Sequence, residues 1–360
     1  MMKVNPKLLG EIRKYGAFDI TACFNCGNCT AVCPLAAEDI SFPRKLIRAG
    51  HLGMEDKLLS GSEPWHCYYC GECSATCPRE AMPGEYMMAL RRYQIAKYDF
   101  TGLSRIFYKN TWVQILLTLA IFVGSLAVYL GYSGDFGALA GLIEHLFPIY
   151  IGIAIVGYLV NFYRYNIVKP LGGIKLSWKP KHILDIFLHG FTQKNFLGCE
   201  ERDLWRWLSH LLVMSGYTLT LVISNLHLLE PLSKQYTLFD PVSLLVGYAG
   251  LAVIVGGLSM SIRRLVKNAQ SSRFSHPTDW LFVIMLFLIG LSTLATLVAN
   301  IALGPGSSVL ALIYRIDLAV ETAWIILVVP FTKWIHIFFR PLAVYFRHVK
   351  NEAAAKTASA

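Results

Sequence analysis

The sequence predicts an all-α protein in which a polar, cysteine-rich head is followed by a bundle of six transmembrane helices. Three observations lead to this prediction. Eight of the nine cysteines lie within residues 1–110, and long apolar runs dominate the chain from Thr111 onward. The mean hydropathy of +0.47 is too high for a typical soluble protein and fits a membrane protein with a soluble head. The head also lacks any convincing run with the two-residue period of a β-strand.

The chain divides into three predicted parts: the head over 1–110, the membrane domain over 111–345 and a disordered tail over 346–360. The net charge of +10 lies mostly in short loops between apolar segments, which is not the basic face of a nucleic-acid-binding protein. No apolar run of signal-peptide length opens the sequence. We therefore expect the head in the cytoplasm, where disulfides are disfavoured.

The head contains two cysteine runs with one spacing, C-x2-C-x2-C-x3-C-P, typical of two-cluster ferredoxins. Three closely spaced thiolates bind three irons of one cubane, and the fourth, followed by proline, ligates the other cluster. We therefore predict two [4Fe–4S] clusters. Cluster one takes Cys23, Cys26, Cys29 and Cys77, and cluster two takes Cys67, Cys70, Cys73 and Cys33.

Zinc and disulfides are the alternatives for these cysteines. Structural zinc sites use pairs of C-x2-C rather than two copies of a four-cysteine run. Cys199 lies outside both runs and is interpreted as an ordinary thiol.

Between the runs lie 33 residues, which is long for a minimal βαβ ferredoxin. Residues 41–50 predict a short helix with Ser41 near its N-cap, Pro43 in its first turn and Gly50 at its end. Residues 83–97 predict another helix. The head is therefore predicted to be an α-helical ferredoxin.

Three arginines, Arg79, Arg91 and Arg92, follow the second run. They either offset the negative charge of a loaded cluster and raise its reduction potential, or form a solvated helix face.

Six segments have spanning length and apolar composition, near 111–132, 145–164, 207–229, 241–262, 279–301 and 318–342. The connections alternate in basic content. Those at 164–206 and 263–278 carry eight and four Lys and Arg residues, whereas the opposite loops carry only Lys234 and Arg315. The positive-inside rule therefore places both termini and both basic loops in the cytoplasm.

Two histidines are expected at one depth near the cytoplasmic side, His210 in the third segment and His336 in the sixth. Polar groups within a membrane are costly and indicate function. Two histidines on neighbouring helices can clamp a haem, so we predict an inner haem on His210 and His336. Interfacial histidines bonded to headgroups or backbone are the alternative.

His227 lies 17 residues beyond His210, so at ~1.5 Å per residue the two are ~25 Å apart and cannot serve one haem. His145 begins the second segment and is expected at the same outer face. A second haem on His145 and His227 is a further candidate, with wet histidines at the membrane rim as the alternative. His276, at the inner edge of the fifth segment, is the second choice of partner for His210.

Lys333 lies one turn before His336. It is a candidate contact for a haem propionate or a quinone oxygen, and snorkelling to the interface is the alternative. His182 and His189, in a cytoplasmic connection, are assigned no ligand role.

The segment WHCYYCGECSATCP, residues 65–78, resembles the C subunit of heterodisulfide reductase. The segments RWLSH, ending at His210, and PFTKWIH, ending at His336, resemble helices of the cytochrome b subunit of respiratory nitrate reductase. The resemblance implies a transmembrane cytochrome b fold with an inner haem b on these two histidines. The positions of that family's other haem ligands, near Thr220 and Leu318, hold no histidine. An outer haem would need other ligands.

The order of head and cytochrome in one chain resembles the C subunit of the quinone-interacting membrane-bound oxidoreductase (Qmo) family. The resemblance implies a multi-pass subunit of the cytoplasmic membrane that links the menaquinone pool to flavin-containing, heterodisulfide-reductase-like partners. Those partners exchange electrons with adenylylsulfate reductase.

No Gly-rich dinucleotide fingerprint occurs in the sequence, so we expect no complete active site in this chain. We predict an electron-transfer subunit of a quinone-linked oxidoreductase. The alternatives are a subunit of a heterodisulfide-reductase-type or other quinone-linked complex, and a haem-free membrane anchor with a redox-sensing iron–sulfur head.

Overall fold

The computed structural model describes residues 4–38, 42–171, 179–197, 203–267 and 269–358. Over these ranges the chain is helical and forms no strand, which confirms the all-α prediction. The α-helices are α1 Leu8–Arg13, α2 Asn28–Ala31, α3 Arg44–His51, α4 Glu55–Ser60, α5 Glu63–His66, α6 Glu72–Ala75, α7 Pro83–Tyr98, α8 Leu103–Lys109, α9 Thr111–Gly131, α10 Phe136–Tyr163, α11 Lys169–Leu171, α12 Pro180–Thr192, α13 Leu204–Asn225, α14 Pro241–Val266, α15 Pro277–Leu303, α16 Ser308–Ala323 and α17 His336–Ala358.

Short irregular helices join or extend several of these elements. Tight 3₁₀ turns lie at Phe18–Ala22, Pro34–Glu38, Lys194–Leu197, Gln270–Ser272 and Lys333–Ile335, and π-helical turns at Arg164–Val168 and Trp324–Val328.

Helix α7 forms the centre of the head. Its polar side chains bond carbonyls at the end of α4: Gln94 donates to the carbonyls of Leu58 and Gly61, both at 2.7 Å, and Tyr98 donates to that of Leu59 at 2.5 Å. These bonds let α7 be buried on nearly all sides without orphan donors. The predicted helix over 83–97 is therefore found. The predicted helix over 41–50 is found from Arg44, and Ser41 lies outside the described residues.

Five helices are long and apolar enough to cross a membrane. These candidate spans are Thr111–Gly131, Phe136–Val168, Leu204–Asn225, Pro241–Val266 and Pro277–Leu303. Large apolar side chains of α9 and α10, such as Trp112, Val123 and Ile153, are exposed on the outside of the bundle. An exposed apolar belt of this kind is stable in lipid rather than in water.

The sixth predicted span, 318–342, is not one continuous helix. Helix α16 ends at Ala323, a π-helical turn follows, and the helical path breaks before the 3₁₀ turn Lys333–Ile335. Pro330 has no amide hydrogen to continue the ladder, which accounts for a break at this point. Helix α17 then starts at His336.

The disordered tail predicted over 346–360 also differs from the structure. Helix α17 continues through these residues to Ala358. Phe346 and Val349 are buried in the core of the head. Burial of apolar side chains on one face gives this segment a reason to stay helical.

A seam of small residues packs α13, α14 and α15 tightly together. A Cβ at Gly216 would lie 2.8 Å from the carbonyl oxygen of Ala249. A Cβ at Gly250 would lie 3.1 Å from the carbonyl oxygen of Gly290, and a Cβ at Gly290 would lie 3.1 Å from that of Gly250. The hydroxyls of Ser209 and Ser259 hydrogen-bond across α13 and α14 at 2.5 Å. Small residues allow this close approach of helix backbones in membranes.

Candidate cluster and haem sites

The two cysteine runs fold into matching loops. Gly27 and Gly71 adopt positive φ values of 99° and 100°, and each caps a four-residue helix. Such a conformation is accessible to glycine at no steric cost. In each loop the second residue after the first cysteine donates its backbone N–H to that cysteine's sulfur at 3.3 Å, Asn25 to Cys23 and Tyr69 to Cys67. The repeated spacing therefore produces a repeated sulfur environment.

Four cysteines line one pocket that is open to solvent: Cys23, Cys26, Cys29 and Cys77. This is the ligand set predicted for cluster one, with the fourth cysteine coming from the second run. Asn28 holds the two runs together here by donating to the carbonyl of Thr76 at 2.7 Å.

Cys33 lies in the electrostatic reach of the second run. Burial, with a smaller contribution from the neighbouring Cys67 and Cys70, raises its pKa to about 11. Burial likewise raises the pKa of Cys73 well above its usual range, with Cys67, Cys70 and Cys33 adding to the shift. The fourth cysteine of each run is thus associated with the first three of the other run.

The buried thiols are poor thiolates on their own. Burial raises the pKa of Cys29 to about 11, and the neighbouring Cys23 adds to the shift. A cationic cluster of irons offsets this cost, because metal ligands must be deprotonated. Among the described residues, no three His, Cys, Asp or Glu side chains converge closely enough to hold a single metal ion. Four cysteines from the two runs around one pocket are the donor set that a cubane would take.

His210 and His336 face each other across α13 and the start of α17. Their ring centroids are 6.3 Å apart with an interplanar angle of 71°. The Nδ1 of His210 bonds the side-chain oxygen of Gln193 at 2.7 Å, and the Nδ1 of His336 bonds the carbonyl of Lys333. Each ring is therefore held by one nitrogen, and its Nε2 has no hydrogen-bond partner in the described part of the chain.

This arrangement fits a bis-histidine haem. An imidazole nitrogen binds a metal at about 2 Å, and the 6.3 Å between the two ring centroids would leave room for an iron between the rings. Ligating histidines also give their other N–H to a fixed acceptor, as both rings do here. His210 and His336 would hold the iron through Nε2, and a haem at that position would supply one-electron chemistry.

His145 and His227 also meet, but in a different geometry. Their rings stack at 4.1 Å with an interplanar angle of 18°. His227 bonds the Glu144 carboxylate at 3.1 Å, and His145 bonds the carbonyl of Gly141 at 2.6 Å. Rings stacked this closely leave no room for a porphyrin between them. This pair therefore does not fit an outer haem in the arrangement shown.

Lys333 and His276 lie beside the haem-type pair in other roles. The Lys333 ammonium pairs with Asp279 at 3.3 Å, and Asp279 also accepts from Arg92 of the head at 2.9 Å. His276 caps α15 by accepting from the amide of Thr278. A propionate or quinone contact for Lys333 stays a prediction.

Other predicted residues are found away from the histidine pair. His182 pairs with Glu352 at 3.1 Å. The side chain of His189 and the whole of Cys199 lie outside what the structure describes. The Arg79 guanidinium carbon lies 4.2 Å from the centre of the Phe24 ring, next to the predicted site of cluster one. Arg91 donates to the carbonyls of Pro64 and Cys67, next to the predicted site of cluster two.

Comparisons with known proteins agree with the iron–sulfur character predicted for the head. Residues 19–81 match a sequence-family model described as a 4Fe–4S dicluster domain. A curated protein of Archaeoglobus profundus, named as similar to the C subunit of heterodisulfide reductase, is 38% identical over 94 residues. That match covers 26% of this chain and 50% of the relative, so the chain spans about half the length of the curated relative it matches. No solved structure matches the chain significantly.

The matches and the apolar helices together indicate a membrane-associated electron-transfer subunit with an iron–sulfur dicluster domain. The predicted likeness of the head to the C subunit of heterodisulfide reductase is confirmed at this level. The likeness of the membrane half to a cytochrome b, and of the whole chain to the Qmo family, stays a prediction.

Proposed function

We propose that this chain carries electrons between the menaquinone pool and cytoplasmic flavin and iron–sulfur partner subunits. In this proposal the membrane domain, 111–345, exchanges electrons with quinone, and His210 and His336 would hold one haem b that supplies one-electron chemistry. The two [4Fe–4S] clusters of the head, 1–110, then pass electrons to soluble partners. Adenylylsulfate reductase is the proposed final electron partner. The head and the C-terminus are proposed to face the cytoplasm.

The observation that carries the proposal is the position of the histidine pair beneath the loop of cluster two. The ring of His210 lies 5.1 Å from that of Phe196, and Phe196 lies 5.2 Å from Tyr68, which stands between Cys67 and Cys70. One ring, that of Phe196, therefore lies between His210 and a residue of the loop of cluster two. Such proximity is what one-electron transfer between the two sites needs.

The positions of the two cysteine loops suggest the order in which electrons pass through the two clusters. Cys26 is exposed at cluster one, and the neighbouring Phe24 is 71% exposed. The second loop, whose cysteines are half-buried, lies against the histidine-bearing helices, since Arg206 of α13 and Arg340 of α17 both reach it. We therefore assign cluster two as the neighbour of the haem and cluster one as the exit to a partner.

Haem content tests this function directly. We expect His210→Ala and His336→Ala each to abolish the reducible b-type absorption while both cluster signals persist in electron paramagnetic resonance (EPR). His276→Ala is the matched control, because it removes a buried histidine nearby that does not face the pair, and it should keep its haem. Full haem in both test variants would exclude this ligand assignment.

A second candidate partner is favoured by the name of the archaeal relative, which likens that protein to the C subunit of heterodisulfide reductase. In that case the clusters would serve a complex that reduces a disulfide substrate rather than adenylylsulfate. Identification of the proteins that copurify with the full-length chain separates the two candidates. Adenylylsulfate reductase should copurify only if it is the electron partner.

A further inference from the structure

Each helix of the histidine pair carries an arginine one turn away on the same face. Arg206 lies four residues before His210 on α13, and Arg340 lies four residues after His336 on α17. Side chains four residues apart on a helix are neighbours. The two helices that present the histidines therefore also present two cations, displaced toward the head.

Both arginines hydrogen-bond the backbone of the loop that begins the second cysteine run, residues 67–70 (the cluster-two loop). Arg206 donates to the carbonyl of Tyr68 at 2.6 Å and to that of Tyr69 at 2.9 Å. Arg340 donates to the carbonyl of Cys67 at 3.4 Å and lies 4.1 Å from the centre of the Tyr68 ring. Three successive carbonyls of this loop, those of Cys67, Tyr68 and Tyr69, are thus bound by cations from α13 and α17.

The same two cations also enclose Phe196, the ring between His210 and Tyr68. The guanidinium carbons of Arg206 and Arg340 lie 5.0 and 5.9 Å from the centre of the Phe196 ring. The positive charge of both side chains therefore lies against the loop that holds the predicted ligands Cys67 and Cys70.

We propose that Arg206 and Arg340 are positioning residues that fix cluster two against the histidine pair and raise its reduction potential. The proposal rests on the proposed function and adds the residues that control one step of it. Reduction adds negative charge to a cluster, so a nearby cation stabilises the reduced form and raises the potential. Cluster two is thereby made the electron acceptor next to the haem.

Cluster one offers a matched comparison. Arg44 donates through Nε to the carbonyl of Asn25 at 2.7 Å, and Asn25 holds the position in its loop that Tyr69 holds in the other. Replacing Arg44 therefore removes an equivalent bond at the other cluster. Arg105 pairs with Glu11 at the head surface and serves as a distant control.

The test is a redox titration of the purified full-length chain, followed by EPR for the clusters and by absorption for the haem. We expect Arg206→Gln and Arg340→Gln each to lower the midpoint potential of the same cluster, and the double variant to lower it further. Arg44→Gln should lower the potential of the other cluster, and Arg105→Gln should shift neither. Arg206→Lys keeps the charge and should restore most of the potential, which a purely structural role would not predict.

Two results would overturn the inference. One is that all cluster potentials stay unchanged in Arg206→Gln and Arg340→Gln variants that retain both clusters. The other is that Arg206→Gln and Arg44→Gln move the same signal. If a glutamine variant loses its clusters, Arg206→Lys still decides, because a lowered potential of cluster two in a variant that keeps the positive charge contradicts the charge effect. Absence of haem or clusters from the wild-type chain would instead contradict the proposed function.

Discussion

At the scale of single residues, the haem-type site depends on how each histidine ring is held. The acceptor for His336 is a main-chain carbonyl, which any sequence would provide. The acceptor for His210 is the side chain of Gln193, which is 5% exposed and adopts a positive φ of 50° at the end of α12. Gln193 thus fixes which nitrogen of His210 faces its partner.

Replacement of Gln193 by leucine should weaken haem binding without removing either ligand. The His210 Nδ1–H would lose its acceptor, and losses of this kind cost about 10- to 100-fold in metal affinity. Haem titration into the haem-depleted protein measures the change. Gln235→Leu removes an exposed amide whose bond to a carbonyl is long, 3.5 Å, and should leave the affinity unchanged. Equal affinities for both variants would contradict the role of Gln193.

The sequence predicts the candidate ligands better than the residues that hold those ligands in place. The cysteines follow a spacing with a geometric meaning, and His210 and His336 stand out because histidine is costly in an apolar helix. Gln193 gives no such signal, since a single glutamine in a connection has many possible roles. Arg206 and Arg340 do give a sequence signal, because each lies four residues from a histidine on the same helix.

At the scale of helices, the position of His210 depends on the small-residue seam. A Cβ at Gly256 of α14 would lie 2.7 Å from the carbonyl oxygen of Ser209 and 2.6 Å from a methyl carbon of Val213. Ser209 is next to His210 and bonds Ser259 across the seam. The seam therefore sets the distance of the histidine helix from α14.

Gly256→Ala should separate α13 from α14 and lower both the melting temperature and the haem content. Gly257→Ala is a matched control on the same helix, because a Cβ there meets nothing within 4 Å. That control should be neutral or stabilising by up to about 1 kcal/mol, since alanine favours helix over glycine. Thermal unfolding in detergent and haem quantification measure both. Equal destabilisation by the two variants would contradict the seam.

Periodicity and length predict most helices but not their interruptions. Helix α7 and the five apolar spans follow from the pattern of apolar residues and their run length. The run over 318–342 stays apolar through the break at 329–332, so hydropathy alone cannot detect that break. Pro330 is the one local signal of it.

At the scale of the whole molecule, the head and the membrane half share one core. Phe162 of α10 stacks on Phe339 of α17 at 4.5 Å, and Trp65 of the head packs edge-on against Phe339 at 5.0 Å. The buried ion pair of Arg92 with Asp279, at 2.9 Å, adds a second link between the halves. Electron transfer needs fixed distances, and a shared core keeps the clusters in place above the histidine pair.

The central claim is that electrons from quinol reach the clusters through the haem. Mixing the oxidised, purified full-length protein with a menaquinol analogue, while following haem absorption and cluster EPR signals, tests this claim most directly. We predict that the wild-type haem is reduced before the clusters. In His336→Ala we predict clusters that dithionite reduces but quinol does not. A wild-type protein without haem, or clusters reduced by quinol equally fast in both proteins, would contradict the account.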